Sequence, residues 1–230
     1  MIIKQFFDDD SSSYSYLVAS QRNNSFIIDP VKNNTKKYID SLDKLSLKLT
    51  FGFDTHLHAD HITALGELRN ITNCETIMGI QSDVDCVSKF VRDKEVITVD
   101  EIKITALYTP GHTDDSYCYL VNEENDQILF SGDTLLIGGN GRTDFQNGDP
   151  DDLFNSLHNI VLRLNDNTII YPAHDYKGLK SSTIKEEKIH NKRLKMSKGE
   201  FISHMNNLNL KEPNLIDTAI PANQECGIIK

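Results

Sequence analysis

Thr55-His-Leu-His-Ala-Asp-His61 places three imidazoles and a carboxylate in one short stretch. Histidine nitrogen and carboxylate oxygen are the donors that bind Zn, Fe or Mn. Upstream, Leu47, Leu49, Phe51 and Phe53 share one parity, the pattern of a half-buried strand. Downstream, Ile62, Leu65 and Leu68 recur at helical spacing. The cluster is therefore expected on the loop leaving a strand, where α/β folds place ligands. Read as an ordinary polar loop, the same residues would only cap and hydrogen-bond. The density of donors in this spacing favours a metal site.

The same layout recurs along the chain. Ile102–Leu107 reads as a strand ending in Thr109-Pro-Gly-His-Thr113, a tight turn that presents His112. Gln127–Ser131 runs into Gly132-Asp133, and Thr168–Tyr171 into Pro172-Ala-His-Asp175. Four strand ends thus carry His56/His58/Asp60/His61, His112, Asp133 and His174, which makes one convergent site the economical account. Further strands are expected at Ile2–Phe7, Tyr14–Val18, Ser25–Asp29, Glu75–Met78, Glu95–Thr98 and Tyr117–Val121. Helices are expected at Thr35–Leu45, Gln81–Phe90, Asp152–Leu164, Lys185–Leu194 and Ser197–Leu208. His158, His190 and His204 fall on these helices, where surface or packing roles are expected. The acidic, serine-rich Asp8–Ser13 reads as a solvated tip.

The 230 residues suffice for a sizeable core, and neither a linker nor an internal repeat divides them, so a single domain over 1–230 is expected. A formal net charge of -10 argues against nucleic acid and means that an anionic substrate would need a local cationic pocket. No apolar run approaches a membrane span, and Met1–Phe7 is too short for a signal segment, so a cytoplasmic protein is expected. Cys74, Cys86, Cys118 and Cys226 form no C-x-x-C pair and read mostly as buried free thiols, with Cys226 in a polar C-terminal setting.

Taken together, Thr55–His61, Thr109–Thr113, Ser131-Gly-Asp133 and Tyr171-Pro-Ala-His174 resemble the metallo-β-lactamase superfamily. Gly139-Asn-Gly-Arg-Thr-Asp-Phe-Gln146, Tyr171–Gly178, Ser182–Glu187, Asn206–Leu210 and Pro221-Ala-Asn223 with Cys226-Gly227 are most similar to the persulfide dioxygenases, the ETHE1-like sulfur dioxygenases. The resemblance implies an α/β fold, a four-layer αβ/βα sandwich of two mixed sheets flanked by helices. It implies one Fe(II) per chain held by His56, His112 and Asp133, which are then the catalytic set as well. Two imidazoles and a carboxylate on one octahedral face leave positions open for dioxygen and substrate. His58, Asp60, His61, His174 and Asp175 would orient ligands and water around them. The implied reaction oxidises glutathione persulfide with dioxygen and water to glutathione and sulfite. The implied partners are a small thiol persulfide and dioxygen, with a homodimer compatible. Arg142, Tyr176 and Arg193 are candidates for contacting the substrate, and Arg142 is weighed equally as an ion pair with Asp144.

Two departures from the family pattern stand out: Asn140 where a cysteine is common, and Asp114-Asp115 where Pro-Gly often follows the Gly-His-Thr turn. Neither touches a ligand position. The rival expectation is a glyoxalase II-type hydrolase of acyl-glutathione thioesters at a dinuclear metal site. Against it, the chain reads Gly-Arg-Thr-Asp-Phe-Gln where those hydrolases usually carry Gly-Arg-Phe-Phe-Glu. A non-catalytic metal- or persulfide-binding module is the third possibility, and ligand types at every expected strand end speak against it.

Overall fold

The computed structural model describes residues 1–123, 126–212 and 215–228, which divide into two compact units. The first comprises residues 1–91, 98–103 and 212–230. It opens with three antiparallel strands, β1 (Ile2–Asp8), β2 (Ser13–Ala19) and β3 (Asn24–Ile28). Helix α1 (Thr35–Leu45), with the bounds expected from its period, leads to β4 (Lys48–Phe53), parallel to β3. Helix α2 (Leu65–Thr72) crosses to β5 (Glu75–Gly79), and β6 (Lys89–Val91) completes a six-stranded sheet in sequence order. Parallel neighbours require such crossovers. Tyr38 and Leu42 of α1 and Leu68 of α2 bury their apolar faces against Leu17, Ile27 and Leu49 of the sheet.

Two local expectations fail in this unit. Gln81–Phe90 is not a helix: residues 81–88 are irregular and Lys89–Val91 pairs with β5. Its 3.6-type spacing of Val84, Val87 and Phe90 is overridden by sheet pairing and by side-chain bonds that lock the segment to β5. Ser88 N donates to Thr76 O at 2.9 Å, Thr76 N to Ser88 Oγ at 3.1 Å, and Ile80 N to Val91 O at 2.9 Å. The Asp8–Ser13 turn is also more than a solvated tip. Asp8 is buried and accepts from Ser11 N, Ser11 Oγ and Asn34 Nδ2.

The second unit comprises residues 92–97 and 104–211. Most of the second six-stranded sheet lies in it, residues 98–103 excepted: β7 (Val96–Val99), β8 (Ile102–Tyr108), β9 (Tyr117–Glu123), β10 (Asp126–Gly132), β11 (Ile169–Pro172) and β12 (Ser182–Thr183), with spatial order β12-β11-β10-β9-β8-β7. Helix α3 (Pro150–Asn159) separates β10 from the parallel β11. Its N-cap Asp149 accepts from Asp151 N and Asp152 N, and Pro150 occupies the first turn where no donor is needed. The helix expected through Leu164 therefore starts earlier and stops at Asn159, with a 3-10 turn following.

Helix α4 (Ile184–His190) likewise stops short of Leu194. Asn191 turns extended, and its buried amide donates to Gly139 O and Glu187 Oε2. Helix α5 (Lys198–Asn206) begins with a Ser197/Glu200 capping box. Leu153 and Leu157 of α3 and Phe201 of α5 pack with Leu129 and Ile170 of the sheet. His158 stacks on Phe154, the packing role expected for it.

The chain returns to the first unit with α6 (Ile216–Gln224), a helix that the sequence reading missed because Pro221 lies inside it. Cys226, expected as a free thiol, is instead joined to Cys86 in a disulfide, while Cys74 and Cys118 are free and buried as expected. No helix among the described residues is long and apolar enough to cross a membrane.

Gly111 immediately precedes His112, has φ +131°, and a Cβ there would lie 2.1 Å from Leu153 N of α3. Gly111→Ala should cost roughly 2–4 kcal/mol, combining left-handed backbone strain with a backbone clash. Urea unfolding of the variant measures it, and a loss under about 0.5 kcal/mol, the range of an ordinary surface substitution, would contradict the packing described.

Candidate metal centre

Parallel pairing of β3 and β4 brings their C-terminal ends to one edge of the first sheet. Asp29 follows β3 with φ +48°, a backbone region that aspartate tolerates better than most side chains. Its carboxylate accepts from Thr55 N at 2.7 Å and Thr55 Oγ1 at 3.1 Å, and lies 3.1 Å from His58 Nε2. The loop after β4 is thus tied down before it delivers its histidines.

His56 is buried, its Nδ1 3.0 Å from Thr55 Oγ1, and its ring centroid lies 4.1 Å from that of His58. His61 Nδ1 sits 2.9 Å from Asp60 Oδ2, which also accepts from Ser13 Oγ. One donor atom each from His58, Asp60 and His61 falls within 4.8 Å of the others, and the same holds for Asp29, Asp54 and His58. Burial by itself would lower the His58 pKa, but the facing Asp29, with Asp54 and Asp60, outweighs it and raises the value to about 10. This pocket calls for positive charge.

In the second unit the parallel β10 and β11 carry Asp133 and His174 out at one edge of their own sheet. His112 Nδ1 lies 2.7 Å from the carbonyl of Arg142. A carbonyl only accepts, so Nδ1 bears the proton and Nε2 presents a lone pair. That Nε2 stands 3.4 Å from Asp133 Oδ2, and His174 Nε2 stands 3.7 Å from Asp133 Oδ1, a buried oxygen without a hydrogen-bond partner. An imidazole lone pair facing a carboxylate oxygen is repulsive unless a cation joins them. The donors within each unit, taken separately, therefore suit a divalent ion of the N/O-binding kind.

Gly141 is what lets the Arg142 carbonyl reach His112: its N donates to Asp133 O at 2.7 Å, and a Cβ would lie 2.7 Å from His112 Nδ1. A cavity of about 480 Å³ adjoins this cluster, lined by Asp133 and His174 and by all three substrate candidates, Arg142, Tyr176 and Arg193. Their roles divide. Arg142 forms a bidentate pair with Asp144, at 2.6 and 2.7 Å, and donates to the carbonyls of Leu210 and Lys211. The ion-pair alternative weighed for it from sequence is the one observed. Asp144 is held below the ordinary carboxylate range chiefly by that guanidinium.

Arg193 is half-buried, donates to Asn140 O at 3.0 Å, and has its pKa lowered by burial. Tyr176 is 73% exposed and lies parallel to His174 at a centroid distance of 6.0 Å. Asp175 is buried and accepts from Lys177 N and Leu179 N, bracing the turn after His174.

Sequence reasoning missed three residues here. Asp29 and Asp54 lie at strand exits, the same signal that drew attention to Asp133. Asn223 was read only as part of a resemblance, yet its amide donates to His58 O and His61 O and accepts from Thr63 N.

A sequence profile of the Metallo-beta-lactamase superfamily matches residues 87–174. Persulfide dioxygenase ETHE1, mitochondrial, of Mus musculus is 38% identical over 99% of this chain and 89% of its own length. The crystal structure of ETHE1 from Myxococcus xanthus is 44% identical with a TM-score of 0.95, covering 99% of this chain and 100% of that one. Hydroxyacylglutathione hydrolase of Dictyostelium discoideum is 34% identical over 84% of this chain and 77% of its own length.

Arg142→Ala should destabilise the protein by about 1.5 kcal/mol or more, because it strips charge-assisted bonds from Asp144 and two carbonyls. Arg142→Lys should recover little of this, since a lysine cannot reproduce the planar fork. Chemical denaturation of both variants checks the expectation; full recovery by lysine would show that charge alone matters there.

Proposed function

The chain belongs to the persulfide dioxygenase family of the metallo-β-lactamase superfamily, and from that premise we propose that it oxidises glutathione persulfide with dioxygen and water to glutathione and sulfite. The observation that carries this reading is that the likeness to persulfide dioxygenases spans nearly the whole chain, whereas the likeness to a hydroxyacylglutathione hydrolase is lower and leaves part of the chain uncovered. We read the two units as one functional domain, with His56 of the first joining His112 and Asp133 of the second around one Fe(II) per chain.

An iron(II) ion so held would supply open positions where dioxygen and a sulfur anion are brought together. The chain's own residues prepare that place. Arg142 O fixes the His112 tautomer and aims its Nε2. Gly141 N fixes the Asp133 backbone from the same short loop. Arg193 lines the cavity as the cation available to a carboxylate of the tripeptide moiety, while Arg142 is occupied with Asp144. Tyr176 supplies an exposed ring at the same cavity. His58, Asp60, His61, His174 and Asp175 are assigned to orienting ligands and water. A cytoplasmic place of work belongs to the same proposal and rests on the sequence reading alone, with the Cys86–Cys226 bridge weighing against a reducing compartment; cell fractionation tests it, and recovery with an organelle would overturn it.

The second reading, a dinuclear thioesterase, is favoured by the close approach of donors from His58, Asp60 and His61. Metal analysis separates the two. About one iron per chain, with oxygen uptake on addition of glutathione persulfide, is expected; about two metals with thioester hydrolysis and no oxygen uptake would replace the proposal.

His112→Ala and Asp133→Ala should each lose iron and activity together. His174→Ala should keep most of its iron while turnover falls about 10–100-fold, as when a ligand-orienting partner is lost. Arg193→Ala should raise KM more than it lowers kcat, because a contact to a remote carboxylate is equal in ground and transition states. Wild-type iron content in either ligand variant sinks the ligand assignment, and an unchanged KM removes Arg193 from the substrate pocket.

A further inference from the structure

The first unit carries a covalent link that neither reading of the reaction uses. Cys86, half-buried in the irregular segment before β6, is bonded to Cys226, which is 1% exposed. Residues 223–227 lie as a strap on the loop of histidines. Asn223 Nδ2 donates to His58 O at 2.8 Å and His61 O at 2.9 Å, and its Oδ1 accepts from Thr63 N at 2.9 Å. Cys226 O accepts from Gly66 N at 2.9 Å in the first turn of α2, and Gly227 O accepts from Lys32 Nζ. The strap thus satisfies backbone groups within the histidine loop and just after it. Only the disulfide fastens it covalently.

We propose that Cys86–Cys226 is a redox-modification site for low-molecular-weight thiols, and that its reduction slackens the strap and loosens the loop that bears His56, His58 and His61. In the first step a thiolate attacks the Cys86 sulfur, the more exposed of the two. A mixed disulfide forms on Cys86, the protein S–S bond breaks, and the electron pair leaves on Cys226, which takes up a proton. A second thiolate attacks the thiol-derived sulfur of the mixed disulfide. It expels Cys86 as a thiolate, which is protonated, and leaves as the small-molecule disulfide. Two thiols are oxidised, the bridge gains two electrons, and the protons the thiols released are those the cysteines take up.

The direction of the effect follows from the chain. The bridge ties the C-terminal strap to a segment 140 residues earlier in sequence, so opening it removes a covalent tether and lets the strap gain conformational freedom when it lifts away. The strap is then held by hydrogen bonds, each of modest net worth, together with the packing of Ile220 near Leu57 and Leu65. Local opening of the strap exposes Thr63 N and Gly66 N together, because both bond to it.

Hydrogen exchange on the metal-free protein reads this without substrate or iron, which keeps it separate from the persulfide reading. Anaerobic reduction with glutathione should speed exchange of the Thr63 and Gly66 amides on the order of tenfold or more relative to the oxidised protein, and reoxidation should restore protection. In the iron-loaded protein, transfer of Fe(II) to a chelator should accelerate in parallel. Cys86→Ser should match reduced wild type in both measurements and ignore glutathione. Unchanged protection at both amides on verified reduction overturns the proposal, as does a glutathione effect that persists in Cys86→Ser. Should that variant fail to fold, the oxidised and reduced wild-type proteins decide the matter between them.

Discussion

A buried carboxylate that faces three donors at once leaves its surroundings little freedom, and Asp29 is in that position with Thr55 N, Thr55 Oγ1 and His58 Nε2. Its oxygens have no water to fall back on, so each lost partner would leave buried charge unsatisfied. Because β3 and β4 are parallel, Asp29 and Thr55 leave the sheet at the same edge, and the bond between them sets where the histidine loop begins. Asn223 closes the other side by taking His58 O and His61 O. The imidazoles between them inherit their positions from the side chains of Asp29 and Asn223.

The strands and the positions of the candidate donors were legible because both are local. Alternating apolar residues mark β4, helical period marks α1 to its bounds, and each candidate donor sits just past a strand. Local signals failed where a distant partner decided the outcome. Residues 81–90 have helical spacing, yet Thr76 and Val91 hold them against β5. The helix expected to reach Leu194 breaks at Asn191 because that amide is drawn to Gly139 O, far along the sequence. Neither competing bond leaves any trace in a window of ten residues.

The cysteines show the same limit more sharply. Nothing in the spacing of Cys86 and Cys226 marks them as partners, since a free thiol and a bridged one have the same neighbours in sequence. Asp29 was hidden for a different reason. An acid followed by proline at a strand end reads as a stop signal, and Pro30 supplied a sufficient local explanation for ending β3.

Charge is where sequence and structure have to be weighed against each other. A protein of net charge -10 repels an anionic substrate at long range, but salt screens that field over about a Debye length, roughly 8 Å in physiological conditions. Inside the cavity the local groups therefore matter more than the total. Arg142 was open from sequence to that task or to pairing with Asp144, and its donors are spent on Asp144, Leu210 O and Lys211 O. The cavity keeps Arg193, Lys177 and Lys211 on its lining, opposite Asp133 and Asp175. Asp175 is engaged by two backbone amides, and a cation bound beside Asp133 would neutralise it. A bound cation thus does two things at once: it relieves the clash of lone pairs between His112 and Asp133, and it leaves the adjoining cavity with a net positive lining suited to an anion.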